Sequence, residues 1–466
     1  MREPSSRADG YVTTSSNPRQ RPYQQRGSQF LLDAGRAILA DEAGVGKTNQ
    51  LLLAARGRTL ILSPAGLADV WREAIEMWAD QIDPSVELSW MSYSGICKRI
   101  PKDEGKPAAM AVAAPRPGLQ TQWDTILADE AHYLKNPKTT WTKVVGKLRT
   151  DRLYLATGTP LPNWAHEILS ILRFLYPGDS RFTNKQRWLT EYFKTWKPPY
   201  GGKYNLEVEG LHRGLTWEIA AQEWGLPGRW LRRSLDEVLP ELPPMTRQIV
   251  KVRMTGQQAT AYRQLHKEWQ TILPETGHEI VSWDDGGIYS KMLQCSTGLF
   301  SLHPDETGGS AKLAALRDMM AERHHPTIVF CAFINTADGV GAALAKDGKR
   351  LEVVSSKYSK QHRLDAIAKF RAGEIDTLVG TVGTLSEGIT LTRADTCIFI
   401  ERSPRPVTNA QARNRIRRFG QDRPTLSIDL VTEDTVDERL LGILERKEDQ
   451  TDLALTGIQL AALQGC

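Results

Sequence analysis

A chain of 466 residues exceeds one ordinary domain, so two or three are expected. Hydrophobic content of 40% and charged content of 25% fit a globular protein, and no apolar run reaches the roughly 18 residues that a membrane helix needs. A net charge of +5 permits a polyanionic partner without requiring one, and five scattered cysteines with no CxxC pair argue against a zinc site or disulfide framework and for a reducing compartment.

The first 19 residues are Ser/Thr-rich and lack an apolar h-region, so they are expected to be a disordered tail and not a secretory signal. Arg36 to Ala40 reads as a short buried strand, and Asn49 to Ala55 reads as a helix. Between them stands DEAGVGKT, residues 41–48. Strand, glycine loop and helix is the context of a phosphate-gripping loop. Gly44 and Gly46 let the backbone turn its N–H groups toward a polyphosphate, and the helix N-terminus adds to that field. Lys47 is expected to reach the β- and γ-phosphates, and the Thr48 hydroxyl to ligate Mg²⁺. The first glycine of the strict GxxxxGK[ST] pattern is replaced by Asp41.

Trp123 to Ala128 is a second apolar strand, and Asp129-Glu130-Ala131-His132 follows at its tip. Chemistry in open α/β sheets collects at the carboxyl ends of strands. Asp129 is then expected to hold Mg²⁺ and Glu130 to polarise the attacking water, with His132 linking the site to other parts of the protein. Residues 164–230 hold six of the thirteen tryptophans, and Tyr192, Tyr200 and Tyr204 are interleaved with Lys and Arg. Such a pattern can stack on bases; the reading favoured is the core of a small helical protrusion.

Pro240, Pro243 and Pro244 mark a rigid crossing into a second half. Strands over 327–331, 377–379 and 397–400 alternate with helices over 336–345 and 363–370, which implies another parallel sheet. Seven arginines lie between Arg402 and Arg423. Residues 409–418 read as a helix that places Gln411, Arg415 and Arg418 on one face. Arginines at i and i+3 suit the spread charge of a transferring phosphoryl group. Arg413 and Arg417 point elsewhere, toward solvent or nucleic-acid phosphates.

Taken in order, these segments resemble the superfamily 2 helicases and, within them, the Swi/Snf-type DNA translocases, from about residue 20 to about residue 445. The resemblance rests on RPYQ with Gly27, DEAGVGKT, TLILSPAGLADVWREAI (59–75), DEAHYLKNPKT (129–139) and LATGTPLPN (155–163). It continues through WLRRSLDEVLPELPPMTRQIV (230–250), GTVGTLSEGITLTRADTCIFIERSPRP (380–406) and NAQARNRIRRFGQ (409–421). Residues 200–233 look most like the compact fork-remodelling, strand-annealing branch. Arg417-Arg418-Phe419 departs from the usual wording of the last motif, and no glycine stands near Ser355-Ser356.

The resemblance implies an α/β protein of two RecA-like parallel-sheet lobes with helical insertions. Lobe one would span 20–242 with an insertion at about 164–232. Lobe two would span 243–466, with a helical lead-in and C-terminal helices. ATP and Mg²⁺ would bind Gln24, Glu42, Ala43, Gly44, Val45, Gly46, Lys47, Thr48, Asp129 and Glu130 of lobe one. Lobe two would supply Gln411, Arg415 and Arg418, with Gly388 near the ribose or γ-phosphate. Ser63, Thr159, Thr381 and Thr384 are the expected nucleic-acid phosphate contacts. The expected activity is DNA-stimulated ATP hydrolysis that drives tracking along duplex DNA. The alternatives are a strand-separating DNA or RNA helicase and a nucleotide-gated binding module. The expected partners are duplex or forked DNA, with RNA and a targeting protein open and no membrane, in cytoplasm or nucleus.

Overall fold

Short apolar runs bounded by polar turns become the strands of two all-parallel sheets in the computed structural model, which describes residues 20–97, 116, 119–196, 207–306, 308–323, 325–386 and 389–464. Tyr200, Tyr204 and Gly388 lie outside the described residues. The chain divides into two compact units. The first holds the described residues up to Ala40, with Gly46–Thr157 and Gly228–Leu231; the second holds Asp41–Val45, Gly158–Pro227 and the chain from Arg232 onward.

In the first unit the strands are β1 (Arg36–Leu39), β2 (Arg58–Ser63), β3 (Glu87–Ser92), β4 (Thr125–Asp129) and β5 (Arg152–Ala156). The sheet is buried on both faces, which is why its central strands read as apolar runs and not as alternating ones. Leu60, Ile61, Leu62 and Leu127 are wholly buried. Leu51, Leu52 and Trp71 pack on one face from the helices Lys47–Ala54 and Ala68–Met77.

Within residues 158–227, which belong to the second unit, the insertion is part helical and part β. It holds the helices Ile168–Leu175, Ser180–Thr183, Lys185–Tyr192 and Trp217–Glu223 and an antiparallel strand pair, β6 (Phe193–Trp196) and β7 (Glu207–Leu211). The favoured core reading holds for Trp188 and Trp224, whose rings lie 5.3 Å apart and are buried. Trp164 is exposed and lies 5.1 Å from the Lys447 ammonium. Past the insertion, Trp230–Leu231 forms β8, an edge strand beside β1 in the first sheet, whose order is β3-β2-β4-β5-β1-β8.

His166 sits edge-on to Phe193 at 6.3 Å. Burial, reinforced by Lys185 and opposed by Glu167, lowers it from 6.5 to about 4. The folded protein therefore keeps it neutral where the unfolded chain takes a proton. Its contribution is present above pH 6.5 and is lost as pH falls toward 4. By pH 5 the loss should be about 2 kcal/mol. His166→Gln is expected to flatten this acid limb in urea titrations at pH 7 and pH 5, and an unchanged difference between the two would count against it.

The second sheet begins with β9 (Met245–Val252) and, after a small hairpin of β10 (Gln270–Ile272) and β11 (Glu279–Val281), continues with β12 (Thr327–Cys331), β13 (Leu351–Val354), β14 (Thr377–Thr381), β15 (Thr396–Phe399) and β16 (Thr425–Thr432). Its order is β13-β14-β12-β15-β16-β9. Phe330 and Phe399 stack at 4.8 Å in its core. Four of the five cysteines are described; Cys295, Cys331 and Cys397 are buried, and burial pushes the Cys295 and Cys397 thiols up to about 12.

Two expectations in this unit are corrected. The C-terminal helices are a single helix, Val436–Gln464, packed on Trp217–Glu223. Their approach needs Gly457, because any Cβ there would run into Trp217. The helix expected over 409–418 covers only Pro406–Arg413. Past Arg413 the i→i−4 ladder gives way to i→i−3 turns, with the Arg415 N–H donating to the Ala412 carbonyl (3.1 Å) and the Ile416 N–H to the Arg413 carbonyl (3.3 Å), while the Arg415 carbonyl accepts from the Leu391 N–H (3.0 Å). Gln411 is therefore helical, whereas Arg415 and Arg418 lie on the turns that follow, so they share no helix face with it.

Candidate nucleotide site

The phosphate loop leaves β1 at Ala40, where Ile38, Leu39 and Ala40 are wholly buried and fix the strand end. Gly44 (φ 97°) and Gly46 (φ 82°) take the left-handed conformation that side chains resist. Lys47 is the first residue of the helix Lys47–Ala54, so its neighbouring N–H groups are those a helix leaves without intrahelical partners. Gln24, from the helix Pro22–Ala34, lies directly against Gly46, where a Cβ would strike its Nε2. The Ser28 hydroxyl ties these two helices together by donating to the carbonyls of Gln24 and Gln50, each at 3.1 Å.

Asp129 closes β4 and is buried. Its carboxylate accepts from Trp71 Nε1 (3.1 Å) and the Glu130 N–H (2.9 Å), while its carbonyl accepts from the Tyr93 hydroxyl (2.7 Å). Burial, with the adjacent Glu130 charge, raises its pKa to about 7 against the opposing pull of Lys47. A buried carboxylate so disfavoured as an anion wants positive charge beside it, which a divalent cation would provide. Glu130 itself sits at φ 49°, ψ 48°, a left-handed conformation that costs a non-glycine residue about 1–2 kcal/mol. His132 Nδ1 lies 3.2 Å from Glu130 Oε2 and 3.2 Å from the Thr157 hydroxyl, just past β5. It bridges two strand tips, as its place in the motif suggested.

The first unit thus gathers Gln24, Gly46, Lys47, Thr48, Asp129 and Glu130 along the carboxyl edge of its sheet. The remaining loop residues, Glu42, Ala43, Gly44 and Val45, belong to the second unit. There, Gln411 is buried in its helix. Arg415 is buried and donates to the carbonyls of Ser386 and Ile389 (3.1 Å to the latter). Arg418 donates to the Asn414 carbonyl (3.1 Å) and the Thr390 hydroxyl (3.3 Å). Its Cγ lies 3.4 Å from where a Cβ on Gly44 would stand.

Arg413 is not on a solvated face: it is buried and paired with Glu448 at 3.0 Å. Arg417 pairs with Asp236 and donates to the Pro243 carbonyl (3.2 Å). Of the residues expected at nucleic acid, Ser63 is buried and its hydroxyl accepts from Trp90 Nε1 (2.9 Å), which does not suit a surface phosphate contact. Thr159 is half-buried, and the Thr381 and Thr384 hydroxyls lie 2.7 Å apart at the tip of β14. The sequence reading missed Trp71, whose only local signal was its place in the quoted 59–75 segment. It also missed the buried pairs Asp41–Arg233 and Arg402–Asp429.

A parallel sheet with a glycine loop at one strand tip and Asp-Glu at another defines a RecA-like P-loop nucleotide hydrolase fold. Residues 115–299 match the SNF2-related domain, and residues 311–420 match the helicase conserved C-terminal domain. The two matches span well over half of the chain, and it belongs to the Swi/Snf-type branch of helicase superfamily 2. The chain is similar to the Bos taurus DNA annealing helicase and endonuclease ZRANB3, with 24% identity over 94% of this chain and 40% of that protein. It is also similar to the putative ATP-dependent helicase/translocase YwqA of Bacillus subtilis, with 25% identity over 93% of this chain and 48% of that protein. Among solved structures, the Sulfolobus solfataricus SWI2/SNF2 ATPase core in complex with dsDNA aligns with a TM-score of 0.39 and 19% identity, covering 96% of this chain and 95% of that one. The chain spans less than half the length of the curated relatives it matches.

Proposed function

We propose that this chain is an ATP-driven motor that tracks along duplex DNA, with DNA-stimulated hydrolysis as its activity. The observation that carries this is the grouping of Gln24, Lys47, Asp129 and Glu130 at one sheet edge in a chain with the Swi/Snf domain pair. Gln24 would read the adenine edge, and Lys47 with the N–H groups of the loop would hold the phosphates. Thr48 and Asp129 would hold Mg²⁺, which would supply positive charge against the charge that develops on the phosphates. Glu130, held by its strained backbone and His132, would orient the attacking water. Gln411, Arg415 and Arg418 would complete the site when the two halves close, Arg418 as the group meeting the transferring phosphate.

The relatives' names speak of DNA annealing and ATP-dependent translocation, which is what directs the substrate reading to DNA and the location to cytoplasm or nucleus. The test is the steady-state ATPase rate with blunt duplex, forked duplex, single-stranded DNA and RNA. Duplex DNA is expected to raise the rate at least about ten-fold over the bare protein, the signature of a site assembled by its track. Equal rates with and without nucleic acid would sink the motor reading.

A further inference from the structure

The residue that breaks the standard phosphate-loop pattern has a partner. Asp41 is wholly buried, and its carboxylate receives Arg233 Nε (3.0 Å) and Nη2 together, a two-pronged pair. Arg233 itself is 14% exposed. The backbone follows suit, since the Glu42 N–H donates to the Arg233 carbonyl (3.0 Å). Glu42 is held by the same short segment: its Oε2 accepts from the Leu235 N–H (2.9 Å), and its Oε1 lies 3.6 Å from Arg232 Nη2. The Glu42 carbonyl then accepts from the Val45 N–H (3.4 Å), which closes the turn leading into Gly46 and Lys47.

In a phosphate loop that opens on glycine, the backbone alone sets the entry. Here the first two residues are fixed by residues 232–235, ahead of the left-handed turns at Gly44 and Gly46. We propose that Arg233 is a positioning residue for nucleotide binding: through the buried Asp41 carboxylate it fixes the path of Asp41–Val45, the stretch of the phosphate loop that leads into Gly46, and with it where the N–H groups of that stretch point. This rests on the nucleotide-hydrolysis reading above. Arg233 touches no nucleotide in this role. A lysine cannot replace it fully, because a single ammonium cannot take both carboxylate oxygens in the planar fork that a guanidinium uses.

The experiment uses the full chain and measures kcat and KM for ATP, with the affinity for a fluorescent ADP analogue and circular dichroism alongside. Arg233→Ala is expected to raise both KM and the ADP-analogue Kd at least about ten-fold, the loss of one charge-assisted, two-pronged contact. Arg233→Lys should recover part of this. A purely structural role would lower the folded fraction, and with it apparent kcat, and leave KM unchanged. If Arg233→Ala does not fold, Asp41→Asn, which keeps the shape and removes the charge, carries the same test. Folded variants with KM and ADP affinity within about two-fold of the native chain would overturn the proposal. A native chain that neither hydrolyses ATP nor binds the ADP analogue would instead remove the nucleotide reading, and this inference with it.

Discussion

Lys47→Ala is expected to abolish DNA-stimulated ATP turnover, a loss of at least about 10²–10³-fold, while leaving the fold in place. The magnitude is that of removing one preorganised electrostatic contact from developing charge. The fold should survive because Lys47 is half-buried at the first turn of its helix, where it fills no core position. Its removal also withdraws the positive charge that holds the Asp129 pKa down, so that carboxylate becomes still harder to ionise. The proposed metal-binding corner and the proposed phosphate cradle would thus lose together. Phosphate release measured with saturating duplex DNA, beside the melting curve, checks this. Retained turnover in a protein of native melting temperature would remove the phosphate-loop assignment.

What could be read from the sequence was what local chemistry decides. The DEAGVGKT loop, β1, β4 and the second-half strands β12, β14 and β15 are visible because burial on both faces leaves apolar runs, and because a left-handed turn leaves glycines. The core role of Trp188 and Trp224 was likewise legible in composition, although the antiparallel pairing of β6 with β7 was not. The misreadings are all non-local. The helix ending at Arg413 looks continuous in sequence, since no glycine or proline stops it before Gly420. Past Arg413 it tightens into i→i−3 turns, and Leu391 and Gln421 then hold the Arg415 and Ile416 carbonyls of that turn from outside the segment. Arg413 carries the same charge as its neighbours, yet it is buried against Glu448, 35 residues away. Asp41 and Arg233 are 192 residues apart, and neither has a local pattern that announces the other.

Lys312→Ala is expected to destabilise the second unit by about 3–5 kcal/mol, the cost of leaving a buried charge without its partner. Lys312 is wholly buried in the first turn of the helix Ala311–Glu322, so its ammonium cannot reach water. Its Nζ donates to the Ile400 carbonyl (2.6 Å) and pairs with Asp437 at 2.7 Å. Asp437 also accepts from the Thr432 N–H (2.9 Å), so it links the end of β16 to the start of Val436–Gln464. Glu401, wholly buried and pushed up by that burial, is drawn back down by the Lys312 charge. One ammonium therefore serves a carbonyl and two carboxylates. Lys312→Met separates the contributions, because it keeps most of the volume and removes only the charge. If the electrostatic part dominates, Met and Ala will cost nearly the same; if the cavity dominates, Met will recover most of the loss. Adding Asp437→Asn to Lys312→Met should be less damaging than the two single changes summed, because the carboxylate left without its cation is then gone too. Denaturant titrations of the four proteins measure this directly. A single-variant cost below about 1 kcal/mol would mean that water reaches the Lys312 pocket and that the pair is not holding β15, β16 and the C-terminal helix together.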